Sequence, residues 1–498
     1  MSSRGLIKSM LVIGSAQVAS ILISLVRMKL LALMLGPAGV GILSIYGNLQ
    51  TTAKTAAALG LTTSAVRDIA RARAEEPDLS RTRIALLGGL VTQGLLALGA
   101  IWLLREPLAR MLLGDGTRAT EVGLVGVAVL LSMIGSSQTV LLQGMRRIAD
   151  LGRVTVIGAL AGTAAGLLAV WLAGEGGLIW FVLVQPLAAV LVALYFTRRL
   201  PPLREAGFTL SGVWDAWRPM VATGGVFMLG GLVTTGVLLL VRGVIVNRLG
   251  LDAAGLFAAS WSISVLYVGF LLSAMSTDYY PRLAEVIHER DTANRLMNDQ
   301  AQLALALGGP VLLLLIGFAP WAMSLLYSSA FTSAAEMLQW QTLGNVLKLA
   351  SWPLGYALIA GARSRLYLLT EIGWNLLFLG LLWVGLPIMG ITAAGVAFLI
   401  AYIVYFLLLY WPISRLHGFR WEALSLRLIG LHVVLGAGLL ATARLAPVPA
   451  AALAVLLAAA TGLLGVRVVL QKVGPQGRLA SRLARVYAVI GWPLGKDA

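Results

Sequence analysis

Five cations sit inside apolar runs, where a lipid bilayer would have to hold them: Arg27, Lys29, Lys54, Arg242 and Lys348. A charge at membrane depth is costly, so each such residue faces a cavity or a partner and marks a site. Arg27 and Lys29 are two positions apart, about 200° around a helix, so they point in different directions. Lys54 lies among Asn48, Thr51 and Thr55, which share a helical face at i, i+3 and i+7. Gln341, Asn345 and Lys348 follow at i, i+4 and i+7 and form a second polar stripe. The acids at comparable depth are Asp278 and Glu371, the latter with Asn375 one turn later, as counter-charges or coupling groups. Cations in excess over acids, in a low-dielectric setting, attract an anion. Plainer alternatives stay open: snorkelling to headgroups for Arg27 or Lys29, a helix end before Tyr279-Tyr280-Pro281-Arg282 for Asp278, and pairing of Glu371 with Arg365.

The elements that position these residues follow from composition. Of 498 residues, 59% are hydrophobic and 12% charged, against about 45–50% and about 25% in soluble domains. A water-soluble enzyme is excluded. Apolar runs long enough to span a bilayer recur throughout, and the length allows about fourteen crossings. Helices are expected near 10–34, 40–63, 84–104, 121–142, 154–173 and 178–197, then 220–246, 254–278, 300–320, 335–359, 366–386 and 391–411, with a final pair near 428–446 and 450–469. Met1 to Lys8 reads as a short basic leader before a retained first helix, too long for a signal-peptide core.

The net charge of +17 is a topology signal. With the N-terminus inside, one set of loops holds only Arg105, Arg110, Arg118, Arg248 and Arg444, while the other set holds the great majority of the basic residues. By the positive-inside rule both termini are cytoplasmic, and no nucleic-acid partner is needed to explain the charge. Residues 202–218, with Trp214, Trp217 and Arg218, and the tail with Arg478, Arg482 and Arg485, read as amphipathic segments on the membrane surface. There are no cysteines, and His288, His417 and His432 are scattered, so neither a disulfide nor a metal site is expected. No nucleotide motif is present, no cofactor is called for, and a monomer is expected.

An internal repeat is visible. Arg27 precedes Leu35-Gly36-Pro37-Ala38-Gly39-Val40-Gly41, and Arg242 precedes Leu249-Gly250-Leu251-Asp252-Ala253-Ala254-Gly255. Gln143-Gly144-Met145-Arg146-Arg147 is matched by Ala360-Gly361-Ala362-Arg363 at nearly the same offset. The expected fold is therefore an all-α integral membrane protein with two six-helix lobes related as parallel repeats plus two C-terminal helices. The division is residues 1–200, a linker over 201–218, a second lobe over 219–412, and 413–498 with the last two helices and a basic tail.

The chain resembles the Wzx-type O-antigen translocases of the multidrug/oligosaccharidyl-lipid/polysaccharide exporter superfamily, and within them the lipid III flippases. The likeness lies in Lys29-Leu30-Leu31-Ala32, Gly36-Pro37-Ala38-Gly39, Tyr280-Pro281-Arg282-Leu283, Phe331-Thr332, Trp340-Gln341, Leu343-Gly344-Asn345-Val346-Leu347-Lys348, Gly355-Tyr356 and Tyr402-Ile403-Val404-Tyr405-Phe406. It implies movement of undecaprenyl-diphosphate-linked oligosaccharide from the inner to the outer leaflet of the bacterial plasma membrane. Two lobes around a cationic cavity would work by alternating access, with a polysaccharide polymerase and a chain-length regulator as downstream partners. Asn345 stands where those relatives have aspartate, and the last two helices exceed their twelve-helix pattern. The cations suit a diphosphate, and Trp261, Trp340 and Trp374 are candidates for stacking on sugars. A drug or cation antiporter would need buried acids in place of cations. A membrane polymerase would need a large loop bearing catalytic acids, whereas the loop near 105–119 offers only Glu106 and Asp115.

Overall fold

A lipid-embedded backbone must satisfy its own polar groups, which leaves helices or closed barrels as the spanning structures. The computed structural model describes residues 3–72, 76–200 and 210–474, with Ser481, Arg482, Arg485 and Tyr487, and no strand occurs among the described residues. In chain order the helices are α1 (Ser3–Ala58), α2 (Leu61–Ala72), α3 (Glu76–Leu103), α4 (Arg105–Leu113), α5 (Ala119–Gly144), α6 (Ile148–Ala173), α7 (Gly177–Thr197) and α8 (Leu210–Leu249). Then come α9 (Leu251–Val286), α10 (Arg290–Gly317), α11 (Ala319–Leu326), α12 (Ala335–Ala360), α13 (Ser364–Met389), α14 (Ala393–His417), α15 (Ala423–Leu445) and α16 (Pro447–Val473).

Ten stretches are long and apolar enough to cross a membrane among the described residues. Three of them, Gly14–Ala58, Ile148–Thr197 and Ser364–His417, run to 45, 50 and 54 residues, and a crossing needs about 20. Each is broken near its middle at a glycine with positive φ: Gly36 (63°), Gly174 (57°) and Gly390 (57°). At Gly36 the break is sharpened by Pro37, which has no N–H to continue the ladder. Fourteen crossings are consistent with these double spans and with α12, whose polar stripe lowers its hydropathy.

The repeat is written in the backbone. Helices α5 and α12 start 216 positions apart, as do α6 and α13, and Gly174 and Gly390. Arg146 and Ala362, also 216 apart, share a left-handed backbone (φ 57° and 56°) in the turn that follows α5 and α12. These turns adopt the same geometry with different residues, so topology imposes it.

The chain forms two compact units, the first Met1–Leu256 with Leu326–Ala330 and the second Phe257–Leu325 with Phe331–Ala498. In the first, α6 packs on α7 and α1, α5 on α3 and α7, and Leu61, Ile69, Leu90, Met133, Leu142 and Met220 belong to one core. Helix α8, expected to open the second lobe, packs on α1, α2, α3 and α4. In the second unit α12 packs on α14 and α10, and α10 also carries α15 and α16, with Leu313, Ile316, Leu343, Leu439 and Ala454 at the contact.

Two short helices, α2 and α4, replace expected loops. Helix α2 buries Leu61, Ser64, Ala65 and Ile69 and exposes Arg67 and Arg71, so it is an amphipathic helix. Helix α4 buries Ala109, Leu112 and Leu113 and is tied to α8 where Asn247 Nδ2 donates to the Met111 carbonyl at 2.8 Å. Of the expected surface segment over 202–218, residues 202–209 lie outside the described residues. From Leu210 onward it is continuous with α8, and exposed Trp214 stacks on Trp217 at 4.9 Å. Arg478 lies outside the described residues, whereas Tyr487 is buried and donates to the Leu463 carbonyl at 2.6 Å.

Candidate functional site

In the first unit, Arg242 is 7% exposed on α8, and its Nε and Nη1 have no hydrogen-bond partner. Arg27 on α1 is half-buried. Its Nη2 reaches Ser24 Oγ at 3.4 Å, its guanidinium lies 6.0 Å from the Phe181 ring centroid, and its Nε has no partner. Lys29 and Lys54 are half-buried. Near Lys54 in sequence, Asn48 Oδ1 is buried and unpartnered, while Thr51 and Thr55 donate to their own helix carbonyls at 2.8 Å. The threonine hydroxyls are therefore occupied, while Asn48 Oδ1, Arg27 Nε, and Arg242 Nε and Nη1 have no hydrogen-bond partner.

In the second unit the expected α12 stripe divides. Gln341 and Asn345 are fully buried against α9. Gln341 Oε1 accepts from Ser260 Oγ at 2.7 Å, and Asn345 Nδ2 donates to Ser264 Oγ at 2.8 Å and to the Ser264 carbonyl at 3.0 Å. These amides tie α12 to α9, and Gln341 Nε2 and Asn345 Oδ1 are left without a hydrogen-bond partner. Lys348 is half-buried, with its ammonium 5.8 Å from the Tyr402 ring centroid. Glu371 on α13 accepts the Tyr405 hydroxyl at 2.5 Å. Arg365 is not its partner. Asp278 is largely exposed and pairs with Arg282 one turn on at 2.9 Å; α9 continues to Val286, so Asp278 lies within the helix and does not end it.

The tryptophans stack on protein rings. Trp261 and Trp374 both stack on buried Phe378, at 5.8 and 5.5 Å, and Trp340 lies under Arg444 at 5.2 Å. Packing within the unit thus occupies faces that sequence reading offered to sugars. Three features were missed. Tyr402 and Tyr405 surround the Lys348–Glu371 pair, and their i, i+3 spacing was the available signal. Gln93, buried with both amide atoms unpartnered, lines a groove of about 450 Å³ with Ala53, Ala57, Leu96, Ala97 and Ile101. Tyr46 donates to Glu121 at 2.5 Å, and Glu121 pairs with Arg118, which also binds Glu175 at 2.7 Å.

Outside the spanning segments, Asp115 in the α4–α5 turn accepts the Thr117 N–H and hydroxyl at 2.9 and 2.6 Å. Those bonds hold its carboxyl below the usual range. Among the described residues no His, Asp and Glu cluster could hold a metal ion, and His432 is buried with Nδ1 on the Leu428 carbonyl at 2.8 Å. The unpartnered donors of Arg242 can bind an anionic group by charge-assisted hydrogen bonds.

Residues 6–287 match the family described as Polysaccharide biosynthesis protein. The lipid III flippase of Escherichia coli (strain K12) is 28% identical over 390 residues, covering 76% of this chain and 91% of that protein, and the lipid III flippase of Shigella flexneri gives the same figures. The lipid II flippase MurJ in an inward closed conformation superposes with a TM-score of 0.66 at 13% identity, covering 92% of this chain and 100% of that one. An inward-facing multidrug resistance MATE family transporter of the MOP superfamily gives 0.63 at 16% identity, covering 80% and 96%. The two solved structures show the fold. The family match spans more than half of the chain, which therefore belongs to the polysaccharide biosynthesis protein family, and its multi-pass helical architecture has the fold of these two solved structures.

Proposed function

We infer that this protein is a flippase that carries undecaprenyl-diphosphate-linked oligosaccharide, an O-antigen or related repeat unit, from the inner to the outer leaflet of the bacterial plasma membrane. The observation that carries the reading is Arg242, buried with Nε and Nη1 free of any partner. An isolated charge so placed is tolerated where a ligand supplies the counter-charge. A diphosphate fits, because the planar guanidinium presents paired donors to phosphate oxygens. In the first unit Arg27, Lys29, Lys54, Arg242 and Asn48 are the candidates for headgroup contact, and in the second unit Lys348 is a separate candidate. Relatedness to lipid III flippases supports the substrate class. Exposure of the cations to each leaflet in turn is alternating access, and the isoprenoid tail stays in lipid. Both termini are cytoplasmic in this reading, the working form is a monomer, and a polymerase with its chain-length regulator consumes the product.

Leaflet-resolved transport in proteoliposomes tests this, using undecaprenyl-diphosphate oligosaccharide with wild type, Arg242→Ala and Lys348→Ala. Protein-dependent flipping, lost in both variants while their melting stays at or above wild type, is the expected result. Normal flipping by both variants removes the cations from the site. Failure of wild type to flip under every imposed gradient overturns the function.

A further inference from the structure

Lys348 and Glu371 are opposite charges within Coulombic reach of each other, yet no direct ion pair joins them. Each rests on a tyrosine of α14. Tyr405 gives its one hydroxyl proton to Glu371 Oε1 at 2.5 Å, while the Lys348 ammonium lies over the face of Tyr402. An ammonium has three donors and a carboxylate about four acceptor positions. The Tyr402 ring face satisfies the ammonium by charge alone, and the second carboxylate oxygen of Glu371 receives no donor among the described residues. In a low-dielectric surrounding such a pair has two complete arrangements. In one, Lys348 neutralises Glu371. In the other, Lys348 neutralises an incoming anion and Glu371 must lose its charge.

The groups facing Glu371 limit what can supply that neutralisation. They are Lys348 of α12, Tyr367 of α13, and Tyr402 and Tyr405 of α14. Phenols do not ionise near neutral pH, and none of these residues carries a second cation. A proton from water is the remaining source. Asn375, one turn along α13, donates its amide to the Glu371 backbone carbonyl at 2.9 Å and leaves the carboxyl untouched.

We propose that Glu371 is a proton-exchanging counter-ion to Lys348: binding of a diphosphate headgroup to Lys348 is accompanied by uptake of one proton on the Glu371 carboxylate, and release of the headgroup returns that proton. The proposal rests on the flippase reading and adds to it a coupling to protons. The charge balance is direct: the ligand brings negative charge, Lys348 keeps its own, and one O–H bond forms on Glu371 with a proton taken from water.

The test measures affinity of the full chain in lipid nanodiscs for undecaprenyl diphosphate between about pH 5.5 and pH 8, where one linked proton changes affinity by up to about tenfold per pH unit. Wild type and Glu371→Gln are compared, so that titration of the ligand itself cancels. Wild type is expected to gain affinity as pH falls by up to about tenfold per unit more than Glu371→Gln, and Glu371→Asp is expected to restore the slope. Calorimetry of wild type alone, in buffers of different ionisation enthalpy, reads the same proton uptake if the glutamine variant does not fold. Equal slopes in wild type and Glu371→Gln, or no proton uptake by wild type beyond that of the ligand, overturn the coupling and leave the flippase reading standing. Absence of binding by wild type at every pH, together with absence of flipping, overturns that reading and the coupling with it.

Discussion

Arg242 sits in the protein at an energetic cost, because its desolvated guanidinium lacks partners at two nitrogens. Replacement of an uncompensated buried charge by an apolar side chain of similar length relieves that cost. Arg242→Met is therefore expected to raise the apo protein's stability by roughly 1–3 kcal/mol, while headgroup binding is lost. Arg242→Lys keeps the charge without the fork and is expected to weaken undecaprenyl diphosphate binding by about tenfold or more. Thermal unfolding with and without that lipid reads both effects, and a Met variant less stable than wild type would show that Arg242 is structural. The type and depth of such residues were legible in the sequence, because a charge in an apolar run stands out. Their partners were not. Gln341 and Asn345 looked like a free stripe because their partners, Ser260 as donor and Ser264 as acceptor, are small residues whose i, i+4 spacing on α9 is inconspicuous in an apolar helix. Tyr405 was equally hidden, being aromatic in an apolar helix until its hydroxyl is seen on Glu371.

At the level of elements, the repeated Leu-Gly motif gains a physical meaning within the first unit. A side chain at Gly41 would run into the Leu251 carbonyl, and one at Gly255 would run into the Pro37 carbonyl. The second glycine of each motif thus packs against the residue after the first glycine of the other. Close backbone approach of this kind is the use of small residues in membrane helices. Gly255→Val is expected to cost at least about 2 kcal/mol through overpacking against backbone and to abolish flipping. Gly47→Ala, which meets only open space, should change neither melting nor transport. Equal behaviour of the two variants would show that the α1–α9 crossing is dispensable. Long helices and their glycine breaks could be read from the sequence, since hydropathy and turn chemistry mark them. Helices α2 and α4 could not: at 12 and 9 residues, with polar exposed faces, they resemble loops until tertiary contacts fold them.

At the level of the whole molecule, the last two helices are part of the second unit's structure. Asn298, fully buried on α10, donates to the Arg420 carbonyl at 3.0 Å and accepts from the Glu422 N–H at 2.9 Å and the Ser425 hydroxyl at 2.7 Å. Gln302, one turn further, donates to Glu422 and Ser425. Lys472 pairs with Asp299, and Arg444 with Glu336, so both ends of the α15–α16 hairpin are bound to α10 and α12. Gly317 and Gly465 allow the α10 and α16 backbones to approach closely. Lipid could replace the apolar contacts of this hairpin at little cost, because tails are as apolar as leucine. It cannot replace the hydrogen bonds, and each buried amide left without partners costs several kcal/mol. A chain ending at Gly418 is therefore expected to yield no monodisperse protein in detergent, chiefly because Asn298 and Gln302 lose their partners. The same truncation carrying Asn298→Leu and Gln302→Leu is expected to recover a folded second unit, since the exposed α10 face then suits lipid. Size-exclusion profiles of the two truncations separate the cases. A well-behaved truncation without the leucines would mean that the hairpin is an accessory. Failure of both would mean that the apolar packing of α15 and α16, and not the polar network, holds the unit together.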